Sequence, residues 1–120
     1  MRMTAAEFRQ TAGTKANKYK AQQTTLDGIT FASKAEARYY AQLKRREKAG
    51  EVGGVECQRP FMILGPKGEL ITTYKADFAF WDFKEDRFRV IDVKGVETPV
   101  FRLKRKMVKA FLGIDVEVVK

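Results

Sequence analysis

Two strand-like segments around a short polar connector bring ionisable groups to one level of a hairpin, and this constrains the chain more than any other feature. Residues 74–81 are rich in aromatics, and residues 88–94 add β-branched side chains. Between them lies Asp82-Phe83-Lys84-Glu85-Asp86-Arg87. An antiparallel hairpin centred on that connector sets Asp77 directly opposite Asp92, and Lys75 opposite Lys94. Opposed residues have Cβ atoms ~5 Å apart, and like charges there destabilise the pair. At an effective dielectric of 20 the repulsion is roughly 3 kcal/mol as an illustrative bound. Packing gives no reason to keep such a pair, whereas a divalent cation between the carboxylates turns the cost into a binding site. Asp92 and Lys94, two apart on a strand, share one face with Phe88 and Val90. An Asp92–Lys94 ion pair at a strand end would explain those two alone. A second carboxylate at Asp77 shifts the balance towards function.

The remaining elements follow from local signals. Residues 1–23 are polar and basic with little periodicity and read as a mobile arm; residues 24–120 read as one domain. Asp27-Gly28, flanked by Thr24-Thr25-Leu26 and Ile29-Thr30-Phe31, is a two-residue hairpin signal. Ser33-Lys34-Ala35-Glu36 is a capping-box pattern opening a helix to about Ala49, with Gly50 as its stop. Strands are expected at 55–58, 61–64, 69–81 and 88–94, with Gly65-Pro66-Lys67-Gly68 as a turn. A second helix spans 100–112, ended by Gly113, and an alternating strand closes the chain at 115–119. This order predicts an α/β (α+β) fold with one mixed sheet and helices packed on it.

With 120 residues, the chain has room for one ordinary core. A formal charge of +9 points to a polyanionic partner, nucleic acid first. No apolar run approaches a membrane span, and no signal-peptide core is present, so no membrane partner is expected. Cys57 is the single cysteine, which fits an intracellular compartment and a plain half-buried strand residue. The absence of histidine excludes Ser-His and Cys-His triads and histidine-bound zinc. Any hydrolytic chemistry therefore rests on carboxylates, lysine and a hard metal.

Glu36 falls near the middle of the first helix's apolar face, with Tyr39, Tyr40 and Leu43. It serves equally well as the capping glutamate or as a third carboxylate for the site. On the second helix Arg102, Arg105, Lys106 and Lys109 form one basic face, either solvated or contacting phosphate. Lys104 falls on the apolar side, where it would reach towards the site or snorkel. Lys18 and Lys20 add charge from the arm. Gln58 would support the site by hydrogen bonding, though a plain strand residue is the commoner outcome. Tyr39 and Tyr40 are better read as core than as base-stacking groups.

Taken in order, Glu36, Asp77, Asp92 and Lys94 resemble the PD-(D/E)XK nuclease superfamily, with its helical acid, strand Asp and (D/E)-x-K. Residues 18–119 also resemble a small phage-encoded branch similar to Holliday-junction resolvases. The traits are Asp27-Gly28-Ile29-Thr30-Phe31 leading to Ser33 and Glu36, then Tyr74-Lys75-Ala76-Asp77-Phe78, then Asp92-Val93-Lys94-Gly95. Ala76 replaces the eponymous proline and Asp92 the more frequent Glu. The resemblance implies a restriction-endonuclease-like core and Mg²⁺-assisted hydrolysis of DNA. In it Asp77, Asp92, the Val93 carbonyl and Glu36 hold the ion, Mn²⁺ is able to substitute, and Lys94 positions the attacking water. It also implies a homodimer acting in phage DNA recombination. The rival readings are a non-catalytic nucleic-acid-binding module and a basic structural protein of a phage particle.

Overall fold

The structure, a computed structural model, describes residues 22–120, so the arm, with Lys18 and Lys20, falls almost wholly outside the described residues. Backbone contacts divide the described chain into two compact units, 22–39 and 40–120, with the boundary inside a helix.

In the first unit, β1 (Thr24–Leu26) pairs antiparallel with β2 (Ile29–Phe31). Asp27 and Gly28 both take positive φ, 53° and 75°, as the tight hairpin turn requires. Helix α1 (Lys34–Lys48) begins here, and the Ser33 Oγ accepts the Glu36 backbone N–H at 3.2 Å, half of the expected capping box. The helix runs on into the second unit and stops at Gly50, with φ 77°.

The second unit is built on a four-stranded mixed sheet in the order β3-β4-β5-β6. Its strands are β3 (Val52–Leu64), β4 (Leu70–Asp82), β5 (Arg87–Val93) and β6 (Val116–Val119), with α2 (Pro99–Leu112) linking β5 to β6. The first three strands are antiparallel, and β5 and β6 are parallel, so α2 is the crossover. The predicted α+β class with a mixed sheet is the class found. Thr98 caps α2 by accepting the Phe101 N–H at 3.1 Å, Pro99 supplies a preset first turn, and Gly113 ends it at φ 69°.

Two expectations need correction. The strands expected at 55–58 and 61–64 are one strand, β3. Gly53-Gly54 makes a bulge rather than a break, with Gly54 at φ 62°, and the register shifts by one between Gly53 and Glu56. Pro60 is tolerated because β3 is the sheet edge. The second correction concerns the β4–β5 ladder. Its register is the expected one, but it stops at Phe78↔Ile91, one step before Asp77 and Asp92. Lys75 pairs with Pro60 of β3 instead of facing Lys94, whose N–H donates to the Val119 carbonyl at 2.8 Å. The strands part where the like charges would have met.

The core on the α2 side gathers Phe61, Ile63, Tyr74, Ala76, Ala79, Val90, Phe101, Val108 and Val116. Ala76 and Ala79 lie three apart yet share this cluster, so the pleat of β4 slips phase between them. At that level of β3, Gln58 adopts φ 54°. On α1, Tyr40 is buried and stacks on Phe78 with centroids 6.5 Å apart.

Candidate active site and basic groove

The parted end of β4 and β5 carries the ionisable groups. Asp77, half-buried, uses its Oδ2 to accept the Val93 N–H at 2.7 Å, in place of the ladder bond missing there. Asp92 is 1% exposed. Its Oδ2 accepts a hydrogen bond from the hydroxyl of Tyr74, itself 3% exposed. Its Oδ1 is buried and has no hydrogen-bond donor. Lys94 Nζ lies 3.2 Å from that oxygen, within ion-pair reach but without the directionality of a hydrogen bond. The same ammonium sits 4.9 Å from the centre of the Phe101 ring. Burial first, then the Asp92 carboxylate and the charge of Asp77, push the Tyr74 phenol far above its usual range, so it stays a donor.

The structure therefore brings Asp77, Asp92, Val93 and Lys94 together, and adds Tyr74, which sequence reasoning passed over. Simple alternation from Asp77 puts Tyr74 on the other face of β4, and the phase slip reverses that. Gln58 is exposed, and its only conspicuous feature is its left-handed backbone beside Asp77. Glu36 belongs to the first unit, in the opening turn of α1. Among the described residues no three His, Cys, Asp or Glu side chains form a group that could hold a metal ion.

A second feature lies on α2. An open groove of about 410 Å³ is lined by Arg102, Arg105, Lys106 and Lys109 together with Glu97, Ala110, Asp115 and Val116. Two of its cations have acidic neighbours: Arg105 is 3.8 Å from Glu97, and Lys109 is 2.8 Å from Asp115. Phe101, whose ring lies 6.3 Å from that of Tyr74 and 4.9 Å from the Lys94 ammonium, stands one helical turn before Arg105 on α2, so the groove lies near the carboxylate site. Lys104 does not join them, because its Nζ donates to the Thr73 carbonyl at 3.1 Å.

A third cluster, at the hairpin's far end, is structural. Asp82 is fully buried and accepts from the Lys84 and Glu85 N–H groups, each at 3.0 Å, and from Arg46 and Arg89. The Glu85 N–H above all, then Arg89 and Arg46, hold its carboxyl down at about 2 against the cost of burial. Arg89 also grips Glu117 of β6 with two bonds of 2.9 and 2.7 Å. Cys57 is half-buried on β3, and burial pushes its thiol up.

No curated protein and no solved structure matches the chain. Residues 16–117 match the model of the family described as "Protein of unknown function (DUF1064)", and the chain belongs to that family.

Proposed function

We propose that the protein is a Mg²⁺-dependent endonuclease that hydrolyses DNA phosphodiester bonds, selecting DNA structure such as a branch or Holliday junction, in phage DNA metabolism. The observation that carries this reading is Asp92 Oδ1, a buried anionic oxygen without a hydrogen-bond donor, beside Lys94 and at the strand end shared with Asp77. Such an oxygen is costly to bury, and a hard cation satisfies it. Mg²⁺ takes one or two carboxylates and keeps several waters, which suits a pair better than a cage. Asp77, Asp92 and the Val93 carbonyl would hold it. When bound, the ion would lower the pKa of a coordinated water and offset charge on the phosphorus centre.

The chain's own groups do the rest. Lys94, steered by Asp92 and the Phe101 ring, holds the attacking water and stabilises charge developing on the phosphate oxygens. Tyr74 and Phe101, both buried, keep bulk water from one side of the site. The α2 groove supplies Arg102, Arg105, Lys106 and Lys109 for the flanking phosphates. Symmetric cutting of a junction would take two copies of the chain.

One observation favours a second reading, a non-catalytic nucleic-acid-binding module. Asp77 already has a structural task in bonding the Val93 N–H. The deciding experiment is a cleavage panel of junction, flap, duplex and single-stranded DNA with Mg²⁺, comparing wild type with Asp77→Asn, Lys94→Ala and Glu36→Gln. Cleavage by wild type that is lost in Asp77→Asn and Lys94→Ala supports the enzyme. Equal cutting by both variants removes the assigned site. The Glu36→Gln arm decides whether the acid of α1 belongs to the same chemistry.

A further inference from the structure

Tyr74 is 3% exposed, with its ring enclosed by other aromatic side chains. Its ring is 6.4 Å from Phe61 and 6.3 Å from Phe101, centroid to centroid, inside the α2-side core. The carbonyl of its neighbour Thr73 accepts the Lys104 ammonium, which ties this stretch of β4 to α2. This packing carries the hydroxyl to the end of β5, where it donates to Asp92 Oδ2. The two oxygens of Asp92 are thereby made unequal: Oδ2 is taken by the phenol, and Oδ1 has the Lys94 ion pair at 3.2 Å but no hydrogen bond.

That inequality bears on which cation the carboxylate can serve. Calcium takes six to eight oxygens and readily uses a carboxylate through both of them, whereas Mg²⁺ demands octahedral geometry and accepts one oxygen from each carboxylate. We propose that Tyr74 is a positioning residue that confines Asp92 to single-oxygen ligation through Oδ1, and so sets the site's preference for Mg²⁺ over Ca²⁺. This rests on Asp92 being a metal ligand, as proposed above.

The test is calorimetric titration of the full chain with Mg²⁺ and with Ca²⁺, in wild type and in Tyr74→Phe, with Asp92→Asn as the blank. Removing the hydroxyl frees Oδ2, and the Ca²⁺-to-Mg²⁺ affinity ratio is expected to rise about tenfold. A ratio that stays the same, including an equal loss for both ions, overturns the role of Tyr74 and leaves the metal site standing. Wild type that takes up neither ion beyond the Asp92→Asn blank overturns both. Should Tyr74→Phe fail to fold, the wild type decides. Infrared carboxylate bands of the Ca²⁺-loaded protein would show single-oxygen ligation if Tyr74 acts as proposed, and two-oxygen ligation would refute it.

Discussion

Asp92 owes its character to the residues that surround it. It lies on a buried strand end, where a carboxylate is unfavourable unless every oxygen is satisfied. Tyr74 satisfies one oxygen and Lys94 offers the other only charge. Lys94→Ala removes that charge from the proposed transition state and is expected to slow cleavage by about a hundredfold or more, measured as single-turnover kcat on a junction substrate. Asp82 offers the contrasting case, a buried carboxylate with every oxygen engaged. Its pKa is held at about 2, below the 3.8 of an ordinary aspartate. A depressed folded-state pKa contributes stability that is complete above the unfolded value and is lost as pH falls through the folded one. Asp82 should therefore cost the protein stability between about pH 4 and pH 2, and Asp82→Asn should flatten that part of the urea-midpoint profile. The two carboxylates are five residues apart along the hairpin, about 17 Å at strand rise, so Asp82→Asn should leave catalysis by the folded fraction unchanged.

At the level of elements, what could be read in the sequence was whatever local chemistry dictates. Asp27-Gly28, Ser33 with Glu36, Gly50 and Gly113 each carry their own backbone instruction, and the first hairpin and both helices follow from them, while the polar connector 82–87 centres the β4–β5 register. The continuity of β3 was not legible. Gly53-Gly54 and Pro60 look like breaks until one knows that β3 is an edge strand with a bulge. The Tyr74–Asp92 bond was hidden for a related reason: the pleat slips at Asp77, and alternation counted through it gives the wrong face. The destination of Lys104, a backbone carbonyl on β4, was equally beyond a helical wheel. If the slip imposes the left-handed backbone of Gln58, Gln58→Gly should raise stability by up to about 1 kcal/mol in urea unfolding, the relief of αL strain less the entropy of glycine. For α2, Thr98→Ala strips the acceptor from the Phe101 N–H and should cost about 1 kcal/mol in the same assay.

The molecule as a whole carries a formal charge of +9, and the groove on α2 concentrates four of those cations beside the carboxylate site. No helix among the described residues is long and apolar enough to cross a membrane. A polyanion held mainly through phosphate should bind with strong salt dependence and little regard for sequence. Replacing both Arg102 and Lys106 by alanine should lower the slope of log K against log salt by about 2, in fluorescence titrations with labelled DNA. In the proposed reading binding and chemistry separate, because the groove would supply the first and the strand end the second. The most direct measurement is cleavage of a labelled four-way junction by the wild-type chain in Mg²⁺, alongside the same reaction in chelator with binding monitored in both. Metal-dependent cutting, with binding retained in chelator, is the expected result. Binding without any cleavage in either Mg²⁺ or Mn²⁺ would contradict the account and leave a nucleic-acid-binding module.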